Sequence, residues 1–267
     1  MLQSLQVGLS DTVVVKTVQE TETSGVFEIE GLYNGYGLTV GTALRRVLFS
    51  SIPGAAITQI KIKNASHEFT TIPGVLEDVV ELMLNFKKVR LRLHTDEPQT
   101  LLLKRKGEGP VTAAEIKVNA QVDIVNPDIH LAALTEKNAE LEVELLAERG
   151  LGYVPADTRK SEKLPIGVVA LDALFSPVVK VHFVVEHMRV GERTDYNRLR
   201  LTIDTDGSAT PSQVFQYASQ LLREHFLKLS GVDVKKIEVK ESASSGAKPK
   251  AKRSKKGAGA KSESEVE

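Results

Sequence analysis

Cysteine is absent from the sequence. This absence excludes disulfide bonds, zinc sites with thiolate ligands, iron–sulfur clusters held by cysteine, and thiol nucleophiles. Any metal ion would have to be bound by histidine and carboxylate side chains. With 267 residues, of which 41% are apolar, the chain is long enough to bury a substantial core.

Long hydrophobic runs are absent as well. No apolar segment approaches the roughly 18 residues that a membrane-spanning helix needs. The N-terminal segment MLQSLQVGLSDTVVVKTVQE lacks the basic region followed by an apolar stretch that is typical of a secretory signal. The sequence therefore predicts a cytoplasmic protein with no membrane partner.

A net charge is also missing, because 35 basic residues balance 35 acidic ones. The C-terminal tail, residues 242–267, holds seven Lys or Arg and three Glu, so it carries +4 and the rest of the chain −4. Its only large hydrophobic residue is Val266, so we expect it to be disordered. Its run KPKAKRSKK suits weak, sequence-independent binding to nucleic acid, or simply solubility, and has no aromatic residue for base stacking.

Alternating apolar and polar residues predict half-buried strands with one face in water. The alternation occurs over residues 89–93, 116–125, 139–145, 179–186 and 199–203. Together with three helical patterns, these strands predict an α+β fold.

Two of the helices lie in the first third of the chain. One follows a glycine-rich stretch and ends before Pro53. The other is predicted over residues 75–87, with Glu77 and Asp78 in its first turn, where the helix dipole favours negative charge.

The third helix, residues 211–229, has the clearest boundaries. Thr210 and Gln213 form a capping box, Pro211 occupies the first helical position, and Gly231 follows the last turn. The helix has one broad apolar face, which must be buried against either its own sheet or a partner chain. The pattern does not choose between them. This face consists of Val214, Ala218, Leu221, Leu222, His225, Phe226 and Leu229.

The stretch GYGLTVG, residues 35–41, precedes a helix and raises the question of phosphate binding. A dinucleotide-binding fingerprint requires a third glycine where Val40 stands, and a Walker loop requires Gly followed by Lys-Ser or Lys-Thr. Neither pattern is complete. The glycines are better explained by unusual φ angles and by close approach between the turn and a sheet.

Two adjacent arginines, Arg45 and Arg46, follow in the same helix. Leu44, Val47 and Leu48 define its buried stripe, so at least one arginine should reach outward. A planar guanidinium there suits capture of a carboxylate or of backbone carbonyls on a partner. An ordinary solvated helix face explains the pair equally well.

The remaining candidates for chemistry are weak. Asp204-Thr205-Asp206-Gly207 lacks the spacing of an EF-hand and stands where a turn is expected between a strand and a helix. His182 and His187 fit no zinc-protease spacing, and on a strand their offset places them on opposite faces. We therefore predict no catalytic residue, no metal ligand and no cofactor.

The glycine-rich segment and its helix, GYGLTVGTALRRVLFSSIPGAAIT, resemble the signature of the bacterial-type RNA polymerase α subunit. The resemblance continues, in the family's order, over about residues 10 to 235. It includes the segments GVLEDVVELMLNFKKV, GPVTAAEI, IVNPDIHLAAL, ERGLGYVPAD and LDALFSPVVKVHFVVEHMRVGERTDYNRLRLTIDTDGSATPSQVF.

This resemblance implies two subdomains. A dimerisation subdomain of sheet plus two long helices, residues 1–52 and 179–235, is interrupted by an inserted mainly-β subdomain, residues 53–178. Residues 236–267 form the C-terminal end. The resemblance further implies a homodimer whose helices pack against their symmetry mates through Tyr36, Val47, Leu221, Leu222, Phe226 and Leu229.

The dimer is expected to recruit the β and β′ subunits of RNA polymerase. The arginines of the family's A-L-R-R motif, here Arg45 and Arg46, would bind the β subunit, with Arg46 as the stronger candidate. Catalytic metal and carboxylates belong to β′ in this family. The chain would be a non-catalytic subunit of a nucleotidyltransferase, in contact with DNA only through the complex or weakly through its tail.

Two departures from the family stand out. The chain has Leu38 and Thr42 where the family usually has His and Asn, and only the basic tail remains where the family carries a C-terminal DNA-binding domain. On the sequence alone, two alternatives stay open: a nucleotide-binding enzyme using GYGLTVG, and a nucleic-acid-binding protein acting through the tail.

Overall fold

The structure, a computed structural model, describes residues 12–65, 67–159, 165 and 167–231. In these residues, two larger antiparallel sheets and four α-helices confirm the α+β class. Within the described ranges, no helix is long and apolar enough to cross a membrane. The predicted disordered tail, 242–267, lies outside the described residues.

The elements follow one another in this order along the chain: β1 Val14–Glu20, β2 Ser24–Leu32, α1 Tyr36–Ser50, β3 Pro53–Ile62, α2 Val79–Phe86, β4 Leu91–Leu93, β5 Gln99–Lys106, β6 Gly109–Thr112, β7 Ile116–Lys117, β8 Val122–Ile124, β9 His130–Leu134, β10 Glu140–Leu151, β11 Tyr153–Val154, α3 Ala156–Arg159, β12 Val168–Ala170, β13 Ala173–Leu174, β14 Val178–Val190, β15 Arg193–Thr205 and α4 Pro211–Ser230.

The smaller sheet has the order β1-β2-β15-β14, so its first two strands pair with strands from the far end of the chain. Helices α1 and α4 pack against it. Their shared core includes Phe27, Leu48, Leu199 and Val214, and the ring of Phe27 stacks on that of Phe215 at 4.8 Å. This sheet and its two helices form the part of the fold that positions the candidate site.

The larger sheet has the order β7-β5-β10-β3-β4-β8, with β12 pairing with β3. Its own core packs helix α2, through Leu82 and Phe86, against strand residues such as Leu101, Leu103 and Leu145. The two cores draw on different parts of the chain but belong to one compact unit. The subdomain boundaries at 1–52, 53–178 and 179–235 stay a prediction.

Two predicted elements, the second helix and the strand over residues 116–125, have the wrong boundaries. Helix α2 begins at Val79 rather than at residue 75, because the preceding segment pairs with β9: Leu76 N–H donates to the Ala133 carbonyl oxygen at 2.9 Å. Asp78 is the N-cap, accepting from Glu81 N–H at 2.7 Å. Glu77 lies outside the helix, where it accepts from Ala133 N–H at 2.7 Å.

The strand predicted over residues 116–125 is in fact two short strands, β7 and β8. A turn separates them, in which the Asn119 side chain accepts from Gln121 N–H at 3.0 Å. Such a local side-chain bond competes with the sheet for the backbone. The capping box of α4 is confirmed by reciprocal bonds, at 3.1 Å from Thr210 N–H to Gln213 Oε1 and at 3.4 Å from Gln213 N–H to Thr210 Oγ1.

Candidate functional site: the exposed faces of helices α1 and α4

Gly35, the N-cap residue of helix α1, has a backbone conformation that favours glycine. Its φ of 84° lies in the left-handed region. Its N–H donates to Oδ1 of the buried Asn197 at 2.9 Å, which ties the turn to β15. The prediction of an unusual φ angle is confirmed here.

The next two glycines let α1 lie directly on the sheet. A Cβ atom on Gly37 would stand 2.7 Å from Cγ1 of Val185, and one on Gly41 would stand 2.8 Å from Cδ2 of Phe183. Leu44 and Leu48 continue this buried stripe at helical spacing. Close approach to the sheet, the second predicted role, is also confirmed.

An aromatic cluster that the sequence did not reveal surrounds the start of α1. The Arg193 guanidinium lies 5.1 Å from the ring centre of Tyr33 and 5.3 Å from that of Tyr196, and Tyr36 packs edge-on against Tyr33. Hydrogen bonding to Arg193 lowers the pKa of the Asp195 carboxyl. These residues are far apart in sequence, so only the pairing of β2 with β15 brings them together.

Both candidate arginines, Arg45 and Arg46, are exposed. Neither guanidinium has a hydrogen bond or an ion pair to another residue in the part of the chain that the structure describes. Arg45 belongs to an exposed stripe spaced by four, three and four residues: Leu38, Thr42, Arg45 and Phe49. The two departures from the family pattern, Leu38 and Thr42, therefore share a face with Arg45.

Helix α4 buries only half of its apolar face. Val214 and Ala218 are buried and Leu222 is half-buried against the core of the small sheet. The same stripe continues at helical spacing to Phe226 and Leu229, which are 61% and 65% exposed. Every residue from 223 to 230 is exposed, so nothing in the described part of the chain covers this end of the helix.

The other predicted interface residues divide in the same way. Tyr36 is 50% exposed, whereas Val47 and Leu221 are half-buried. Val47, like Leu222, also packs against the chain's own core. The structure thus places all six on α1 and α4, with the most exposed at the ends of the helices.

The acidic tetrapeptide is half strand and half turn: Asp204 and Thr205 end β15, and the predicted turn begins at Asp206. Asp206 Oδ1 accepts from Ser208 N–H at 2.9 Å, and Gly207 has a φ of 88°. His182 and His187 lie on β14. Among the described residues, no group of three or more His, Asp or Glu side chains is arranged to hold a metal ion.

A second exposed surface, also missed by the sequence analysis, is a groove of about 210 Å³ beside α2. Its apolar lining includes Val80, Met83 and Leu84. At one end, Asp172 accepts from Ala156 N–H at 2.9 Å and from Lys87 Nζ at 3.0 Å. These two bonds, the backbone bond first, lower the pKa of Asp172 and hold α3 against the end of α2.

Asp172 is therefore expected to contribute a pH-dependent part of the stability. Because its folded-state pKa is lowered, the contribution is present above the ordinary aspartate pKa of about 3.9 and is lost as the pH falls through the folded value. Replacing Asp172 with asparagine should lower Tm at pH 7, with the difference from the parent chain shrinking toward pH 2. Thermal unfolding by circular dichroism tests this, with the exposed Asp128→Asn as control. Parallel pH profiles for D172N and the parent chain would contradict it.

Comparisons with known proteins identify the family. Residues 60–176 match the family model described as the RNA polymerase Rpb3/RpoA insert domain. Over 223 residues the chain is 46% identical to the DNA-directed RNA polymerase subunit alpha of Symbiobacterium thermophilum, covering 82% of this chain and 70% of the relative.

Two further relatives carry the same name. The protein of Alkaliphilus oremlandii is 45% identical, covering 80% of this chain and 67% of the relative. That of Desulfovibrio desulfuricans is 50% identical over 76% of this chain and 58% of the relative. Identity at this level, over most of the chain, extends well beyond the glycine and arginine motifs. The chain therefore belongs to the family of DNA-directed RNA polymerase alpha subunits.

Proposed function

We propose that this chain, as an alpha subunit of DNA-directed RNA polymerase, is a homodimeric scaffold on which the β and β′ subunits assemble. One observation carries the proposal: the apolar stripe of α4 continues through Phe226 and Leu229, which the described part of the chain leaves exposed. Burying a large apolar side chain is worth about 1.5–3 kcal/mol relative to leaving it in water. A helix end of this kind favours a partner that covers it.

A second copy of the chain fits this requirement best. In a two-fold dimer the same patch of both copies meets, so each contact between the copies occurs twice. Leu221 and Leu222 would add to the α4 part of the interface, and Tyr36 and Val47 would extend it onto α1. In this proposal the dimerisation subdomain comprises residues 1–52 and 179–235, and residues 53–178 form the inserted subdomain.

Arg45 and Arg46 are proposed to bind the β subunit. Their guanidinium groups are exposed and have no partner among the described residues. The exposed Leu38 and Phe49 provide apolar contacts on the same face as Arg45. An apolar surface around an arginine is a common composition for the centre of a protein interface. Leu38 and Thr42 would then give this chain a β-subunit contact different from the family's usual one.

The second copy of the chain would bind mainly the β′ subunit. In this proposal, nucleotidyl transfer takes place on the larger subunits, and the chain contributes no catalytic residue. The complex would act in the cytoplasm, and this chain would reach DNA through it.

Co-expression with the β and β′ subunits, followed by copurification, tests the proposal. Arg46→Ala should reduce capture of the β subunit by at least about tenfold, as expected for an interface arginine with a large contribution. The dimer should persist, because Arg46 is not in the proposed dimer stripe. Thr39→Ala, an exposed change on the same helix, is the matched control, and Arg46→Lys tests whether the planar fork is needed.

The outcomes separate the two parts of the proposal. If the parent chain is monomeric and captures neither large subunit, the scaffold function is wrong. If Arg46→Ala assembles as the parent chain does, only the assignment of the arginine fails.

A further inference from the structure

The turn that connects β15 to α4 is held by a side chain from the other sheet. Arg92, on β4 of the larger sheet, donates from Nε to the carbonyl oxygen of Ser208 at 2.8 Å. Its Nη2 donates to the carbonyl oxygen of Gly207 at 3.1 Å. One guanidinium thus binds two successive carbonyls in the connection that leads into α4.

The turn has a shape that presents those carbonyls. Gly207 adopts a φ of 88°, which favours glycine, and the Asp206 carboxylate accepts from both N–H and Oγ of Ser208, at 2.9 and 2.6 Å. Such an Asp-centred turn leaves little freedom for the two carbonyl groups. The planar fork of arginine matches a pair of fixed acceptors better than a lysine ammonium does.

Two residues that flank strands of the larger sheet, Arg90 before β4 and Val125 after β8, also lie against this turn. Arg90 Nε lies 3.8 Å from Asp206 Oδ2, and the Asp206 side chain is only 10% exposed. A Cβ atom on Gly207 would stand 3.0 Å from Cγ1 of Val125, so the turn packs closely against Val125. We name this set, Arg90, Arg92, Val125 and the turn 206–208, the turn clamp.

The first turn of α4 is also bonded to the small sheet. Glu20, at the end of β1, accepts from N–H and Oγ of Ser212, at 2.9 and 2.6 Å. The first turn of α4 is therefore held by Glu20 from one sheet and, through the turn clamp, by Arg92 from the other.

We propose that Arg92 is a positioning residue that sets the angle between the larger sheet and helix α4. In a dimer built on α4, this angle would fix how far apart the two larger sheets are presented to the large subunits. The effect on the spacing of the larger sheets rests on the proposed function. The positioning of α4 by Arg92 concerns a single chain and does not.

The absence of cysteine makes the angle measurable, because two introduced cysteines are the only labelling sites. We would place spin labels at Gln216→Cys, on α4, and at Glu108→Cys, in the β5–β6 turn of the larger sheet, both of which are exposed. Dilution with unlabelled chain restricts double electron–electron resonance to distances within one chain. The labelled parent chain should give one narrow distance distribution.

Arg92→Ala should at least double the width of that distribution or shift its maximum. Arg149→Ala is the matched control, because Arg149 lines the cleft that Arg92 and Ser208 also line, but pairs with Asp96, in the β4–β5 connection, at 2.7 Å. It should leave the distribution unchanged. Arg92→Lys keeps the charge but loses the planar guanidinium, and should give a distribution of intermediate width. This variant replaces Arg92→Ala in the experiment if Arg92→Ala does not fold.

A distribution for Arg92→Ala and Arg92→Lys that superimposes on that of the parent chain would overturn the proposal. Copurification is the second readout, in which Arg92→Ala should still dimerise but capture the large subunits two- to tenfold less well. Unchanged capture would overturn the role in assembly. If the parent chain itself captures neither subunit, the scaffold function fails, whereas the distance result still decides the role of Arg92.

Discussion

Replacing Phe226 with glutamate is expected to convert the proposed dimer into monomers. Phe226 is 61% exposed in the single chain, and it continues the stripe of Ala218 and Leu222, which contact the core. In a two-fold dimer each substitution counts twice. Losing about 2 kcal/mol of apolar burial per copy raises the dimer Kd by about 10³. A carboxylate without a partner in the interface adds to the loss.

Sedimentation equilibrium over a range of protein concentrations measures this effect. Gln216→Glu introduces the same charge on the same helix, at an exposed position outside the apolar stripe, and should leave the dimer intact. Leu229→Glu should behave like Phe226→Glu, because both positions lie on the uncovered continuation of the stripe. Equal dissociation constants for Phe226→Glu and Gln216→Glu would show that this end of α4 is not the interface.

Gly41→Val is expected to lower the free energy of unfolding by about 3 kcal/mol or more, the upper range for overpacking a core. The first carbon of the new side chain would already stand 2.8 Å from the Phe183 ring and 3.0 Å from Cδ1 of Leu199. Valine has a slightly better helix propensity than glycine, but by well under about 1 kcal/mol. Helix α1 would have to move off the sheet, and Arg45 and Arg46 would move with it.

Thermal and urea unfolding measure the loss, which corresponds to a fall in Tm of about 6–12 °C for a chain of this size. Thr42→Val is the matched control, because it places the same side chain at the next position, which is exposed. Its effect should stay within about 0.5 kcal/mol. If the two variants are equally stable, the helix does not need its close approach to the sheet.

Prediction from the sequence succeeded where the determining chemistry is local. The capping box of α4 depends on residues three apart, and its two reciprocal bonds are present. The start of α1 depends on Gly35, whose φ is positive. Prediction was wrong for the start of α2, because residues 75–77 resemble a helical first turn, but Val75 and Leu76 pair with Leu134 and Ala133 of β9, far along the chain.

The family could also be recognised from the sequence, because its motifs occur in the same order over most of the chain. The comparisons confirm it. The roles of Arg45, Arg46 and the six predicted interface residues stay predictions, since they concern contacts with other chains.

By itself, the sequence determined the α+β class, the three main helices, the glycine positions that need positive φ or close packing, and the family. Only the tertiary structure decided which half of the α4 stripe the chain covers itself, which residues gather around Arg193, and that Arg92 binds the turn before α4. The physical reason is distance along the chain. A helix cap or a turn is decided by neighbouring residues, whereas burial and side-chain pairing depend on which distant strands come together.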